Sequence, residues 1–559
     1  MKNKYHLLLL LLWLAIGTSL RFWRLEVLPP WTDECATMVF SLGNSFRIVP
    51  LNQIISSDVL LQQLVPTPLV GFTTVIQHLL NESTHPPVYF VLAHLWMKIF
   101  SPTGEVASIL AARSLSACLG ILSIPAMFWF AYVAFRSKLV GQIAAAMMAV
   151  SPYTIFLARE ARHYTLVMLL VIASLCCLVK AIQKIYTQQS LPISLMFVWV
   201  IINCVGVATH YFFMLTLCAE GLVLLAKIWQ SKQQHRTWWR ISIVAVGTLV
   251  GCLVWIPNLL NIPGSDLTSW VGGSSPHTRW LEPLGRLLLW LMSMLLLLPS
   301  ALTLPLAVII LSGVVTLVFL VWSLPPMIQG LKIYQENPDT HLTIQILTGY
   351  VWGAIALSLF FTYGLGKDLT LAARFQFFYA PAIILLLGAA LAGCWHQVQQ
   401  LRFLVHSKVA VSIILLMATL GGVTVGGNLG YLQNQRPDIL AAIIQQASQN
   451  NILIATTHIH HGQTGRMMGL AWELQNLPAK NLQFFLAGKD SKTQNYTQAQ
   501  QILTQQLTQL QRPLDLWLVE FRTPIDVESQ NCVLDQKYGN FAGEYSYKFY
   551  HCVAQTSTN

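Results

Sequence analysis

The sequence predicts a polytopic α-helical membrane protein, with about eleven transmembrane helices and a small C-terminal extracytoplasmic α/β domain. Three observations lead there. Of the 559 residues, 55% are hydrophobic and only 10% are charged, against roughly 25% charged in soluble globular chains. Apolar runs of about 17–25 residues, the length that crosses hydrocarbon, recur as far as Val425. Beyond about Leu429 the composition turns soluble. A soluble enzyme and a disordered chain are both excluded. The net charge of +11 needs no nucleic-acid partner, because basic loops on the cytoplasmic side account for it.

The first span, His6–Leu20, follows Lys2 and Lys4 and lacks a convincing cleavage site, so it reads as an uncleaved helix with a cytoplasmic N-terminus. Pro86–Phe100 is short, opens on Pro-Pro and contains His94 and Lys98, which suits an interfacial helix within a long first outer loop, residues 21–109. Span two, Leu110–Phe135, then delivers Arg136 and Lys138 inside, and span three, Gly141–Leu157, returns outside at Arg159. Span four (Thr165–Lys180) puts Lys180 and Lys184 inside; span five reaches His210-Tyr211 outside; span six runs to the basic stretch 227–240; span seven ends at Trp255-Ile-Pro257. Leu284–Leu298 is again short and placed at the outer interface. Spans near Ala301–Val321, Thr343–Tyr363, Phe375–Cys394 and Ala410–Val425 put Lys332, Arg402 and Lys408 inside.

This division gives a membrane module over 1–429 and a soluble domain over 430–559. In the latter, Ile452–Thr457, Leu482–Leu486, Leu514–Val519 and Glu544–Tyr550 read as strands, with helices at Gly465–Gln475 and Thr497–Gln511. Eight of the ten cysteines precede this domain, most within apolar spans, where a thiol is a small hydrophobe. Cys532 and Cys552 could pair if the tail faces an oxidising compartment. No CxxC spacing suggests structural zinc, and Thr457-His-Ile-His-His461 shows no further metal ligands.

With so few charges, those that fall outside stand out. Pro29-Pro-Trp-Thr-Asp-Glu34 brings paired carboxylates to a proline-fixed loop, where Asp33 or Glu34 could accept a proton from a hydroxyl; the plain alternative is a solvated loop. Arg159, Arg162 and His163, with Tyr164 adjacent, flank Glu160 on the outer side, against the positive-inside bias. A structural ion pair would explain them, as would an anion site, since guanidinium matches phosphate oxygens in a bidentate way. Arg374 ahead of Phe375–Cys394 is either a snorkelling arginine or a third cation for the same anion. His85 could donate to a phosphate oxygen, and His210-Tyr211 closes span five. Glu220, inside span six, is costly in lipid and receives no chemistry. The chain has no Walker loop, no strand-linked GxGxxG, no HExxH and no GxSxG. Energy for bond formation must therefore arrive stored in a substrate, such as a phosphodiester to a lipid.

Together these motifs resemble the GT-C glycosyltransferases of family 39, which include protein O-mannosyltransferases and bacterial aminoarabinose transferases. The resemblance rests on Leu20-Arg-Phe-Trp-Arg-Leu25, Leu28-Pro-Pro-Trp-Thr-Asp-Glu34, His85-Pro-Pro-Val-Tyr-Phe90 with His94-Leu-Trp96, Ser151-Pro-Tyr153 through Glu160-Ala-Arg-His-Tyr164, Thr209-His-Tyr-Phe212, and Arg374-Phe375 ahead of Pro381. It covers about residues 5–430, and the tail matches no member of the family. It implies transfer of a sugar from a polyprenyl-phosphate donor, with inversion, to a lipid, glycan or protein hydroxyl at the extracytoplasmic face of the plasma (inner) membrane. By position, Asp33 would be the base with Glu34 beside it, Glu160 the second-loop acid, and Arg374 the donor-phosphate ligand, with Arg159, Arg162 and His85 assisting. His163, Tyr164, His210 and Tyr211 would line the acceptor or sugar pocket. Two departures are that His85 stands where the aminoarabinose branch has lysine, and that Phe375 replaces a tyrosine.

No cofactor is required by this arrangement, though the acidic pair could hold a divalent cation. Besides donor and acceptor, the partners expected are membrane lipids. A transporter or flippase for a lipid-linked anionic glycan is the alternative; it predicts polar residues at mid-membrane and repeat symmetry, whereas the charges here gather at loop ends. A catalytically inert scaffold would leave Asp33, Glu160 and Arg374 unexplained.

Overall fold

A computed structural model describes residues 2–67, 70–102, 104–230, 235–262, 265–272, 280–301, 303–396, 406–430, 432, 435–475, 482–490 and 495–553. Arg402 and part of the basic stretch 227–240 lie outside them. In chain order the helices are α1 (Lys2–Phe22), α2 (Thr32–Ser41), α3 (Ser57–Leu61), α4 (Phe72–Glu82), α5 (Val88–Phe100), α6 (Ile109–Phe135), α7 (Lys138–Val150), α8 (Pro152–Ala158), α9 (Tyr164–Tyr186), α10 (Ile193–Thr209) and α11 (Phe213–Gln230). They continue as α12 (His235–Leu253), α13 (Ile256–Asn261), α14 (Glu282–Ser293), α15 (Leu306–Glu336), α16 (Pro338–Leu359), α17 (Ala380–His396), α18 (Ser407–Gly426), α19 (Pro437–Ala447), α20 (His461–Leu474) and α21 (Thr497–Gln509). The strands are β1 (Ile54–Ser56), β2 (Asn451–His458), β3 (Leu482–Gly488), β4 (Leu514–Val519), β5 (Cys532–Leu534), β6 (Phe541–Ala542) and β7 (Tyr545–Cys552).

The chain is a multi-pass helical membrane protein with a small strand-containing C-terminal domain. Among the described residues, seven helices are long and apolar enough to cross a membrane, or eight if α7 and α8, which meet at a 57° bend, count as one span. The expected spans five, seven and ten fall on α10, α12 and α17, which are apolar but shorter. On α15 the Leu317, Val318 and Val321 side chains are more than 60% exposed, as befits a surface solvated by lipid rather than water. The bend between α7 and α8 follows from Pro152, which lacks an N–H and stops the helix at Ser151. The carbonyls orphaned there are recovered by Arg21, whose Nη1 donates to Ala149 O at 3.0 Å and Nη2 to Met148 O at 2.9 Å. Buried Arg21 thereby fastens α1 to the break.

Two compact units emerge from the packing. The first comprises Met1–Leu25, Thr84–Tyr89 and Arg113–Leu432; the second comprises Glu26–Ser83, Phe90–Ala112 and Gln433–Asn559. Most of the segment that the sequence analysis grouped with the membrane module as its first outer loop packs instead with the tail. The reason is hydrogen bonding and close contact. In the second unit the sheet order is β1-β3-β2-β4-β7-β5, with β6 on β7. Strands β3, β2 and β4 are parallel, and β1, contributed by the loop, pairs antiparallel with β3 through Ile54 opposite Phe485. Asn52 N donates to Leu486 O at 2.9 Å, and Gly488 N to Asn52 Oδ1 at 2.7 Å. Helix α2 lies on α20, where Gly465 and Gly469 permit the approach: a Cβ at Gly465 would sit 3.1 Å from Thr32 O, and one at Gly469 2.7 Å from Pro30 O. The four strands expected in the tail coincide with β2, β3, β4 and β7. At the far edge, register places Cys532 opposite Cys552, and the two form a disulfide.

Candidate functional site

In the first unit a cluster of guanidinium and imidazole groups gathers where several apolar helices end. Pro152 begins α8, α9 starts only at Tyr164, and the turn between them carries residues 159–163. The turn is fixed from below: Tyr89 and Ser116 share a 2.8 Å hydrogen bond, and Ser116 Oγ donates to the carbonyl of Arg162 at 2.8 Å. Glu160, Arg162, His163 and Tyr164 are all buried. Arg162 Nη2 reaches His85 Nε2 at 2.9 Å, and its guanidinium lies 5.9 Å from the Tyr164 ring centroid. His163 packs 4.3 Å from the ring of His210, which lies between α10 and α11, and 5.5 Å from His85. Phe377 closes on His210 at 5.2 Å.

Arg374 enters from the turn before α17. Tyr153 Oη donates to Ala373 O at 3.0 Å, and Gln376 Nε2 donates to Leu369 O at 2.7 Å, so the segment is tied down on both sides of Arg374. Its guanidinium lies 5.6 Å from the Trp270 ring and 5.5 Å from Phe375, a cation–π cradle. Phenylalanine at 375 thus packs the arginine, and no hydroxyl is needed for that. Burial, and then the charges of His210, Arg162, His85 and Arg374, hold His163 well below the usual histidine range. His210 is lowered likewise, by burial first and then by His85, Arg162 and Arg374. Both rings are neutral at physiological pH in a strongly cationic setting.

Two residues grouped with this site by sequence do otherwise. Arg159 donates to the carbonyls of Arg21 (3.2 Å), Trp23 (2.5 Å), Arg24 (3.1 Å) and Gly426 (3.3 Å). It caps the carbonyl ends of α1 and α18, so the expectation of a phosphate ligand is not retained for it. Tyr211 turns its ring to Trp255, 6.1 Å away. Conversely, Ser116 inside α6 and Trp270 in the turn 266–271 were not singled out, and Tyr89 and Tyr153 entered only as parts of longer motifs.

The carboxylates belong to the second unit. Trp31 is the N-cap of α2, and Glu34 at the third helical position returns to it, with Oε2 3.4 Å from Trp31 N. Glu34 is fully buried. That bond from the backbone closes the first turn of α2 and gives Glu34 a structural partner. Asp33, one residue earlier, is partly exposed in the same first turn, where the helix dipole favours a carboxylate. From α20, His461 stacks on Phe46 with centroids 4.8 Å apart and meets Phe40 edge-on at 5.7 Å. Burial, together with His460 and His458, pushes His461 down to about 3, while the charge of Asp33 acts in the opposite direction. His461 is thus within electrostatic reach of Asp33, and the sequence had suggested only a weak metal motif for it. Gln435 lies between Thr32 and Arg466; with its amide nitrogen toward Thr32, its oxygen accepts from Arg466 Nη2 at 2.9 Å. Among the described residues, no group of three or more His, Cys, Asp or Glu side chains is arranged to hold a metal ion.

Residues 92–264 match the family described as dolichyl-phosphate-mannose-protein mannosyltransferase. No curated protein matches the sequence. Among solved structures, ArnT from Cupriavidus metallidurans bound to undecaprenyl phosphate aligns over 98% of both chains at 12% identity, with a TM-score of 0.49. Its apo form gives 10% identity over 99% of this chain and 98% of that one, with a TM-score of 0.48. The oligosaccharyltransferase AglB from Archaeoglobus fulgidus, in complex with an inhibitory peptide and a dolichol-phosphate, aligns at 12% identity over 84% of this chain and 64% of its own, with a TM-score of 0.46.

Proposed function

We propose that this multi-pass membrane protein, whose residues 92–264 match the dolichyl-phosphate-mannose-protein mannosyltransferase family, moves one sugar from a polyprenyl-phosphate donor to a hydroxyl acceptor at the extracytoplasmic face. The observation that supports this most is the grouping of buried Arg162, Arg374, His163 and His210 with half-buried His85 at the ends of apolar helices. Fixed cations in a low-dielectric setting stabilise charge that develops on a departing phosphate, and a lipid-linked phosphate reaches such a place from the bilayer.

In this reading Asp33 takes the proton of the acceptor hydroxyl. The acceptor oxygen bonds to the anomeric carbon, which inverts, and the phosphate leaves with the electron pair of its bond. Arg374, with Arg162 and His85, holds that phosphate. Glu160, Tyr164 and the two neutral histidines line the sugar and acceptor pocket. No metal ion or cofactor enters these steps. The chain sits in the inner membrane with its N-terminus in the cytoplasm, and the outer-loop segment and tail face away from it; the Cys532–Cys552 disulfide suits that oxidising side.

The test is to incubate membranes containing the protein with radiolabelled polyprenyl-phosphate sugars. Label should leave the lipid phosphate and appear on a lipid, glycan or protein. Label that stays on its lipid but changes side of the membrane would replace the transferase reading with a flippase.

A further inference from the structure

His163 is fully buried, and neither ring nitrogen meets a hydrogen-bond partner among the described residues. A buried polar group left in that state destabilises the fold, so a ligand that completes it is the natural explanation for its presence. Its neighbours narrow the kind of ligand. His210 accepts a hydrogen bond from Phe212 N at its Nδ1, 2.9 Å away, so its own proton resides on Nε2 when it is neutral. His85 offers Nε2 to Arg162 and stands 5.5 Å from His163 and 6.4 Å from His210, ring to ring.

The other titratable groups around the pair come from several elements. Tyr89 of α5 lies 6.0 Å from His163, and Tyr164 of α9 lies 4.6 Å from it. Arg162 and buried Glu160 share its turn, and Arg374 acts on both rings from the segment before α17. Burial and these cations keep both rings neutral, and an anion placed among them reverses the balance, because an opposite charge nearby favours the protonated imidazole.

We propose that the His163–His210 pair is a proton-linked receptor for a doubly charged phosphate, one that favours the phosphomonoester product over the phosphodiester donor. This rests on the donor-phosphate reading above and moves the pair from the sugar and acceptor pocket, where that reading placed it, to the phosphate. In transfer, the bond from the anomeric carbon to the phosphate oxygen breaks and its electron pair stays on that oxygen. The acceptor oxygen bonds to the carbon, and the acceptor's proton passes to Asp33. The phosphate thereby gains one negative charge, and the imidazole pair takes up one proton from solvent, by way of half-buried His85. An interaction that strengthens as the charge develops lowers the barrier rather than merely tightening donor binding.

The experiment is calorimetric titration of the whole protein in detergent with undecaprenyl phosphate and, separately, with its methyl diester. Buffers of different ionisation heat at about pH 7–8 are used, where a phosphate monoester is mostly dianionic. The monoester should bind with uptake of about one proton and lose about tenfold in affinity per pH unit, while the diester should bind with neither effect. The H163Q/H210Q double variant should bind the monoester more weakly and without proton uptake. Monoester binding without proton uptake in the wild type, equal uptake with the diester, or uptake that persists in the double variant overturns the proposal. If the double variant does not fold, the wild-type contrast between monoester and diester still decides. If neither ligand binds the wild type, the donor-phosphate reading itself falls.

Discussion

The two compact units differ in how they use buried polar groups, although Arg21 and Arg159 of the membrane unit also hold backbone carbonyls. In the membrane unit, guanidinium and imidazole groups are buried among apolar helices, and His163 carries ring nitrogens that no described residue satisfies. In the unit built from the outer-loop segment and the tail, buried charge is spent on architecture: Glu34 caps α2, and Asp515 accepts from Gln449 N, Asn450 N and His551. The contrast teaches that burial alone does not mark function. A buried charge whose donors or acceptors are filled by the backbone holds the fold; the incomplete imidazole of His163 is the group on which the phosphate proposal rests.

The strongest challenge to this contrast is Asp33→Asn. Transfer should fall by about 10²–10⁴-fold, with the protein's abundance in the membrane and its thermal melting unchanged. Full activity would remove Asp33 as the base. Next comes Arg374→Ala, which should raise the donor concentration needed for half-maximal rate by roughly 10–100-fold, the scale of a charge-assisted contact. Arg159→Ala sharpens the distinction from the other side: it should lower stability by about 1.5–3 kcal/mol through lost bonds to carbonyls, seen in thermal melting, and leave the donor requirement alone.

Gly469→Leu places side-chain atoms where Pro30 O already lies within 2.7 Å of a Cβ. Overpacking of this kind should cost about 1–3 kcal/mol, read as earlier protease cleavage of the outer-loop segment. The smallest effect concerns His551. Burial alone would lower its pKa, but hydrogen bonds and charge from Asp515 and Asp535 prevail and raise it. A raised folded pKa contributes stability that is fully present below the unfolded value, about 6.5, and is lost as pH rises through the folded value. Melting of the wild type should therefore rise more between about pH 8 and 6 than that of His551→Gln; equal slopes would deny the ion pair any role.

Much of this was legible in the sequence. Length and hydropathy located the helices, because crossing hydrocarbon is a constraint local to each segment. Alternation of short apolar runs located β2, β3, β4 and β7. Arg162, His163 and Arg374 stood out because cations on loops expected outside run against a topological bias, whereas His85 and His210 were noticed only as histidines beside apolar runs. What could not be read is equally specific. Arg159 and Arg162 have the same chemistry three residues apart, and only the approach of the α1 and α18 carbonyls assigns one to capping. Ile54–Ser56 is a three-residue strand whose sole reason for existing is β3, so no window of sequence around it carries the signal. The glycines of α20 and the stacking of His461 on Phe46 are likewise meaningful only once α2 lies against that helix.

The pairing of β1 with β3 has a consequence for biogenesis. The bond from Gly488 N to Asn52 Oδ1 joins residues 436 positions apart. At about 5–20 residues per second of synthesis, the early segment waits roughly 20–90 s before its partner strand exists. During that interval the edge of β1 is unpaired, and α2 has no α20 to rest on. The contact order of this unit is thus set by the whole length of the membrane module threaded between its pieces. A ribosome-stalled or C-terminally truncated chain would insert its helices yet leave the segment bearing Asp33 without the sheet that completes its unit.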